Sequence, residues 1–414
     1  MGAGGSSQWD GAHPDLDVRP WAHEAAELRW AVDIDRWAPN PAEWEVVLGA
    51  LPEADRRAVD GLERPIERRR ALASKLLQRR CVSVALNVAD AGVRIARTRG
   101  GKPYVAPCVD GTACDRSNFN FNASHDGHLV VLASDPALLV GIDVVAPPRL
   151  RAELHSFDAV RRAFATCLTE REWRAVESEA TEGGKLRAFR VHWALKEAYV
   201  KARGDGLAFE LRRVELYPCR PPDAAMAGEE VEASAVNVSS EEVGAEVAAE
   251  VAWVCVHVDG ELQRAWVGHV YDLPGGHVAC VVRGPVSEAR DDIGEFRATL
   301  GAAVPIAEHC ARLACAPPPF RMVQVRELVP PQSLEAYDAA CAVGEAACAP
   351  LTQPPRPEPE RQLRAASGAW MHPLISQVPP RGEGSRHVSG GELTVHPNNF
   401  ARPQHDFDNE CVVT

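Results

Sequence analysis

Two acidic residues and one lysine form a set that could bind a divalent cation and a phosphate. Asp143 lies inside the apolar run 140–145, where a buried carboxylate is costly unless a cation accompanies it. Glu197 and Lys201 are four residues apart in a segment of helical periodicity, so their side chains share one helix face. Two carboxylates, completed by water and substrate oxygens, are typical Mg²⁺ ligands. The set therefore favours phosphoryl-type transfer, which depends mainly on positioning and charge neutralisation.

Each of these residues has a simpler interpretation when it is considered alone. Asp143 could cap a loop at the end of a strand, and Glu197 with Lys201 could form a weak surface ion pair. Two neighbouring features favour a site instead. Gly141 indicates that another backbone or a ligand approaches this strand closely, and Trp193 indicates that the helix face turns partly towards a core or cleft.

The polar segment 118–128 (NFNFNASHDGH) is the third feature with chemical potential. Ser124 and His125 could present a hydroxyl and an imidazole to a phosphate group. A Ser–His nucleophile pair is an alternative, although neighbouring residues of a strand point to opposite faces. A metal cluster of His125, Asp126 and His128 is a second alternative, and a polar turn before a buried strand is a third.

Further candidate phosphate contacts are Arg57, Arg97 and Lys102. Arg97 directly precedes the Gly-rich turn 98–103 and Lys102 lies within it, where the backbone can approach an anion closely. Arg57 belongs to the helical region 52–86, which carries many basic residues. Taken one at a time, such cations are more often solvated surface charges.

The elements that must position these residues can be predicted from periodicity and turn signals. Segments 129–133 and 138–145 are apolar runs separated by Ser-Asp-Pro, which predicts two adjacent buried strands. Segment 185–202 has helical periodicity and stops before Gly204. Thr169 with Glu172 predicts a capping box at the start of another helix. Strands are also predicted at 30–35, 93–97, 213–217, 252–258, 277–283 and 320–328.

Composition and charge narrow the class of protein. The 414-residue chain is 46% hydrophobic and 25% charged, which is ordinary for a globular protein. Its net charge of −13 argues against a general nucleic-acid binder. Scattered cysteines without C-x-x-C pairs indicate free thiols in a reducing compartment. The start of the chain lacks a signal-peptide pattern, and its MGAGGS fits either a myristoylation signal or a flexible leader.

Segments 121–125 (FNASH), 141–143 (GID) and 193–198 (WALKEA), in this order and spacing, resemble the successive motifs of the phosphopantetheinyl transferases. The resemblance covers residues 28 to about 285. It is closest to the monomeric, Sfp-like branch and, within it, to the eukaryotic aminoadipate-semialdehyde dehydrogenase phosphopantetheinyl transferases. It implies an α+β fold of two similar halves, and transfer of 4′-phosphopantetheine from coenzyme A to a serine of an apo carrier protein.

The resemblance also implies roles for particular residues. Asp143 and Glu197 would bind Mg²⁺, and Val145 stands where many bacterial relatives have a third acid. Glu197 would take the proton of the carrier serine, and Lys201 would contact the coenzyme A pyrophosphate. The expected coenzyme A contacts are Arg57, Arg97, Lys102, Asn122, Ser124, His125 and Lys201.

The expected organisation divides the chain into a flexible leader (1–27), two transferase halves (28–140 and 141–285), a poorly defined extension (286–350) and a disordered tail (351–414). Residues 220–250 are expected to be an insertion or long loop. We expect a monomer without nucleic-acid or membrane partners. Its expected location is the cytoplasm, with an organelle as the alternative. Two other functions remain open: a metal-dependent phosphodiesterase acting on the same linkage, and a non-catalytic module that binds coenzyme A or carrier proteins.

Overall fold

The computed structural model describes residues 26–106, 118–147, 156–219 and 252–347. They lie in the first of the two units into which the chain divides, and the second, residues 376–414, falls outside these ranges. The expected leader (apart from residues 26 and 27), the 220–250 insertion and the 351–414 tail therefore lie outside the described residues. No helix in the described ranges is long and apolar enough to cross a membrane.

The described helices are α1 (Pro41–Gly49), α2 (Glu53–Asp60), α3 (Pro65–Leu86), α4 (Phe157–Ala163), α5 (Glu170–Glu177), α6 (Glu182–Arg203), α7 (Glu295–Ala298), α8 (Ile306–Ala314), α9 (Val325–Leu328) and α10 (Pro331–Ala347). The described strands are β1 (Arg29–Asp33), β2 (Ile95–Arg97), β3 (Pro103–Val105), β4 (Asn120–Asp126), β5 (Leu129–Asp135), β6 (Leu139–Val145), β7 (Val214–Cys219), β8 (Ala252–Val258), β9 (Glu261–Leu273), β10 (His277–Gly284) and β11 (Arg321–Met322).

These elements form a layered α+β fold with two similar halves, as expected. A first sheet has the order β11-β1-β5-β4, and a second has the order β6-β10-β9-β8-β7. Each sheet carries one 22-residue helix, α3 on the first and α6 on the second. Between the sheets lies a third apolar layer, to which β5 contributes Val131 and β6 contributes Ile142. The strands β2 and β3 form a separate hairpin.

Local sequence signals explain how the two long helices are bounded. Pro65 occupies the first turn of α3, and Asn87 ends the helix in the left-handed conformation with φ 53°. Thr181 caps α6 by accepting a hydrogen bond from the N–H of Gly184, and Gly204 ends it with φ 89°. The capping box predicted from Thr169 and Glu172 is present at the start of α5.

Several predictions of secondary structure were wrong. The strands β5 and β6 are buried, but they belong to different sheets, because β6 pairs with β10. The helical region 52–86 is two helices, since Gly61 ends α2 before Pro65 begins α3. The polar segment 118–128 contains strand β4 and is not simply a turn. Segment 320–328 contains only the two-residue strand β11, followed by helix α9.

The segment called a poorly defined extension is ordered into elements as far as residue 347. Strand β11 pairs in parallel with β1, and α10 packs against α1. Val323, Leu328 and Tyr337 are buried in the same apolar cluster as α3. The sequence of this segment has weak periodicity because its elements are short or pack against residues of α1 and α3. Its structure could therefore not be predicted from local pattern.

Candidate active site

Strand β6 and helix α6 touch backbone to backbone at Gly141. A Cβ atom built on Gly141 would lie 2.0 Å from the carbonyl oxygen of Ala198 and 2.3 Å from the amide nitrogen of Ala202. Alternate residues of a strand share a face, so Asp143 faces α6 as Gly141 does. The glycine that the sequence analysis connected with close approach therefore admits the helix. The same contact brings the end of α6 that carries Lys201 against Asp143.

Asp143 joins side chains from both halves of the fold. It is buried, with 7% of its surface exposed. Its Oδ1 atom accepts hydrogen bonds from Ser124 Oγ at 2.7 Å and from Lys201 Nζ at 2.6 Å. Lys201 Nζ also donates to Ser124 Oγ at 3.1 Å. Asp143 is therefore the centre of a polar cluster and not a loop cap, and Lys201 makes an ion pair between elements.

Strand β4 is held beside β6 by side chains in place of a backbone ladder. Residues 120, 122, 124 and 126 share one face of β4. Three of their oxygens accept backbone N–H groups of β6 or of the residue that follows it: Asn120 from Val140 at 3.0 Å, Asn122 from Ile142 at 3.1 Å and Asp126 from Ala146 at 2.8 Å. Because Ser124 belongs to the same face, this arrangement places its hydroxyl opposite Asp143. Asn122, an expected coenzyme A contact, uses its carbonyl oxygen here to join the strands.

Glu197 is the second carboxylate of the cluster. Burial, together with the negative charge of Asp143, raises its pKa to about 7, while the charge of Lys201 acts in the opposite direction. Lys201, which lies four residues later on the same face of α6, bonds Asp143, and this places Glu197 on the side of the helix that faces the same carboxylate. The bonds from Ser124 and Lys201 both use Oδ1 of Asp143, so its Oδ2 atom and the Glu197 carboxylate form a donor set that suits a hard cation such as Mg²⁺. Among the described residues, no group of three or more His, Cys, Asp or Glu side chains could hold a metal.

His125 occupies the opposite face of β4 from Ser124. Phe121 and Ala123, which share its face, pack into the cluster beneath α3. Burial lowers the pKa of His125, and the charges of Arg70 and Lys201 lower it further. Since the Ser124 hydroxyl donates to Asp143, it does not form the Ser–His pair weighed as an alternative. The alternative metal cluster around His125 is likewise not present in the described ranges.

Lys102 has a different environment from the one expected of a phosphate contact. It is 3% exposed, and its Nζ donates to the carbonyl oxygens of Val140 at 2.9 Å and Lys201 at 3.0 Å. Burial lowers the pKa of Lys102 to about 7. Lys102 thus links the backbones of β6 and α6 from inside the protein, immediately behind the polar cluster.

The remaining predicted cations lie on the surface. The side chain of Arg57 is 75% exposed and lies 3.5 Å from Glu53. Arg97 is exposed and donates to the carbonyl oxygen of Gly101 at 3.0 Å. In the described part of the chain, no hydrogen bond or ion pair connects either residue to Asp143.

The basic helical region is largely neutralised by local partners. The pairs are Arg57–Glu53, Arg64–Glu67, Arg68–Asp60, Lys75–Asp55 and Arg79–Asp90. A helix face that pairs its own charges attracts an acidic partner less than its count of arginines indicates.

The buried ion pair between Lys196 and Glu172 was not predicted from the sequence. The Nζ of Lys196 and Oε2 of Glu172 are 2.7 Å apart, and both side chains are fully buried. Lys196 also donates to the carbonyl oxygens of Leu211 at 2.8 Å and Val214 at 2.5 Å. The pair fixes α6 against α5 and β7 immediately before Glu197. A lysine between apolar helix positions was the available signal.

Comparison with known proteins matches two successive segments of the chain. A family model described as "4′-phosphopantetheinyl transferase, N-terminal" matches residues 35–137, and one described as "4′-phosphopantetheinyl transferase superfamily" matches residues 139–252. The boundary between them falls in the turn that separates β5 from β6. Ser124 therefore comes from the first matched segment, and Asp143, Glu197 and Lys201 come from the second.

Individual relatives carry similar names. An L-aminoadipate-semialdehyde dehydrogenase-phosphopantetheinyl transferase of Rattus norvegicus is 36% identical over 190 residues, covering 45% of this chain and 59% of the rat protein. Its Mus musculus counterpart is 31% identical over 261 residues, or 62% of this chain and 75% of the mouse protein. A phosphopantetheinyl transferase of Thraustochytrium sp. is 36% identical over 196 residues, covering 46% of this chain and 65% of that protein. With two family models matched in tandem and relatives of this coverage, the chain belongs to the 4′-phosphopantetheinyl transferase family.

Proposed function

We propose that Asp143, Glu197 and Lys201 carry out the family's reaction in this chain, the transfer of 4′-phosphopantetheine from coenzyme A to a serine of an apo carrier protein. The observation that carries the proposal is the meeting of Ser124, from the first sheet, and Lys201, from α6, at one oxygen of Asp143. Hydroxyl, ammonium and carboxylate groups gathered at a second, half-buried carboxylate suit a pyrophosphate and its counter-cation.

Asp143 and Glu197 would hold Mg²⁺. When bound there, Mg²⁺ would neutralise charge that develops on the pyrophosphate oxygens. The protein provides the frame for this site: Gly141 lets α6 approach β6, and Lys102 links the two backbones.

Glu197 accepts the proton of the carrier serine, directly or through one water. The serine oxygen then forms a bond to the β-phosphorus of coenzyme A, while the bond from that phosphorus to the bridging oxygen breaks. The bridging oxygen leaves with adenosine 3′,5′-bisphosphate. Lys201 places its ammonium beside the leaving group and stabilises the negative charge that the departing oxygen gains.

The direct test is a mass measurement on the carrier. Incubation of the full chain with coenzyme A, Mg²⁺ and an apo carrier protein should add about 340 Da to the carrier, the mass of the group whose transfer the metal-assisted mechanism implies. Release of nucleotide without this mass gain across several carriers would instead indicate the phosphodiesterase. Binding of coenzyme A with neither product would indicate a non-catalytic module.

We also infer that the enzyme is a cytoplasmic monomer that depends on Mg²⁺. The cysteines at positions 81, 167, 219, 255, 280, 310, 315 and 341 are free, which suits a reducing compartment. Both halves of the proposed site come from one chain, so a partner copy is not needed to complete it. Light scattering, a fluorescent fusion and titration with a chelator test these three points separately.

A further inference from the structure

Arg70 is a basic residue in the N-terminal part of α3. It shares a helix face with Ala73 and Leu77, which are fully buried beneath the first sheet. Arg70 itself is half-buried at the end of this face. Its Nε donates to the carbonyl oxygen of Gly127 at 2.9 Å, and its NH2 group contacts the same oxygen. Helix α3 thus holds a guanidinium group against the turn that follows β4.

His125 faces this guanidinium group. It follows Phe121 and Ala123 on the face of β4 that packs towards α3. The charge of Arg70 is the largest influence after burial in lowering the pKa of His125. The nearby carboxylate of Asp126 accepts N–H groups from Gly127 and Ala146, at 2.9 and 2.8 Å. Its charge is therefore already engaged by the backbone.

The end of β4 therefore lies between two cations that come from different halves of the fold. On the α6 side, Lys201 donates to Ser124, and on the α3 side, Arg70 donates to Gly127. The α6 side also carries Asp143, where the proposed function places the pyrophosphate. Coenzyme A has one other phosphate, on the 3′ oxygen of its ribose. An arginine can bind such a group through several N–H donors at once, and Arg70 contacts Gly127 through its Nε and NH2 groups.

We propose that Arg70 is a specificity-determining residue for coenzyme A, and that it binds the ribose 3′-phosphate beside His125. The inference rests on the proposed function, because it takes coenzyme A to be the substrate of the neighbouring cluster. Arg70 has a structural counterpart that lacks this setting: the adjacent Arg69 donates to the carbonyl oxygens of Ile34 and Trp37 at 3.1 and 3.4 Å. Both arginines donate hydrogen bonds to backbone carbonyl oxygens, but of the two only Arg70 bonds the turn next to His125.

The test compares coenzyme A with dephospho-coenzyme A, which lacks only the 3′-phosphate. In Arg70→Gln, KM for coenzyme A should rise about tenfold or more, as expected for loss of a charge-assisted hydrogen bond. KM for dephospho-coenzyme A should change less than about twofold, because that donor has no phosphate for Arg70 to bind. Arg70→Lys keeps the charge, so its KM for coenzyme A should lie between the values for wild type and Arg70→Gln. An equal rise for both donors, or no change for either, would overturn the proposal.

A binding measurement separates this inference from the proposed function. Adenosine 3′,5′-bisphosphate and adenosine 5′-monophosphate differ in the same phosphate, and their binding needs no carrier and no turnover. The full-length wild-type chain should bind the bisphosphate more tightly, and Arg70→Gln should lose about tenfold of that preference. Arg69→Gln is the matched control, and it should leave the preference unchanged even if it lowers stability. A preference that Arg70→Gln retains would rule out the assignment, whether or not the chain transfers phosphopantetheine.

Discussion

Burial shifts the pKa values of an acid and a base near the proposed site in opposite directions. Glu197 is a half-buried acid whose pKa is raised to about 7, and Lys102 is a buried base whose pKa is lowered to about 7. In both cases burial penalises the charged form. Their contacts nevertheless give them different roles. Glu197 lies near the carboxylate of Asp143, and a bound cation would reduce the repulsion between the two negative charges. Lys102 already donates to two carbonyl oxygens.

Replacement of Glu197 by glutamine should abolish most of the activity. The variant keeps the shape of the side chain but cannot accept a proton or hold a cation through a charge, so the transfer rate should fall about 10²–10⁴-fold. The measurement is the rate of carrier mass gain at saturating coenzyme A. Wild-type rates in Glu197→Gln would show that another residue takes the proton.

The same variant should change stability in a pH-dependent way in metal-free protein. The pKa of Glu197 is raised from 4.5 to about 7, so the folded state binds this proton more tightly than the unfolded chain does. Ionisation of Glu197 therefore lowers stability progressively as pH rises from 4.5 to about 7. Glu197→Gln, which cannot ionise, should melt higher than wild type at pH 8 and close to it at pH 4. Thermal melts with a chelator present test this difference.

Lys102→Met distinguishes a buried link from a ligand contact. The variant removes the donor to the carbonyl oxygens of Val140 and Lys201, so unfolding free energy should fall by about 1–3 kcal/mol. Because Lys102 is buried, the affinity for adenosine 3′,5′-bisphosphate should change little under conditions in which the variant is folded. A large loss of nucleotide affinity with unchanged stability would instead support the prediction that Lys102 contacts coenzyme A.

At the scale of elements, the site depends on how two strands and a helix are joined. Gly141 allows α6 to touch β6, while the polar face of β4 satisfies backbone N–H groups at the edge of β6. An unsatisfied edge would be costly if buried and prone to pairing with other chains if exposed. The motif segments of the sequence thus contain both the polar cluster and the residues that assemble the elements around it.

Gly141→Ala should therefore damage both stability and activity. Its Cβ would lie 2.0 Å from a backbone oxygen of α6, so the helix must move away from β6. We expect a loss of about 1–3 kcal/mol in unfolding free energy, with a marked loss of transfer because Lys201 moves away from Asp143. Gly49→Ala is the control, since a Cβ there has no atom within 4 Å. Equal behaviour of the two variants in melts and assays would contradict this account of Gly141.

At the scale of the whole molecule, the first half is completed by residues that follow the second. Strand β11 lies beside β1, the Nδ2 of Asn40 donates to the carbonyl oxygen of Ala340 at 2.9 Å, and Val325 and Leu328 are buried with α3. The family models end at residue 252, so this completing segment lies beyond them. It nevertheless covers apolar surface that the first half would otherwise expose.

A chain that ends at residue 285 should consequently be unstable. Removing residues 286–347 uncovers the edge of β1 and part of the apolar cluster under α3, and exposed edges and large apolar patches promote aggregation. We expect a lower melting temperature and concentration-dependent aggregation in light scattering. A chain ending at residue 347 keeps all the described contacts and is the control. Equal solubility and melting of the two truncated chains would show that the segment is dispensable.

The sequence by itself determined the candidate residues of the proposed site and the main elements that carry them. Asp143, Glu197, Lys201 and Ser124 were recognisable because their motifs depend on residue type and spacing, and α6 and β6 were recognisable because amphipathic and apolar periodicities are local. Only the tertiary structure decided which groups meet. In the folded protein, Lys201 pairs with Asp143, although the sequence offered Glu197 as its partner. Lys102 is buried and Arg57 lies on the surface. The strands β5 and β6 belong to different sheets. Burial and pairing across sheets are properties of distant segments brought together, and no local pattern encodes them.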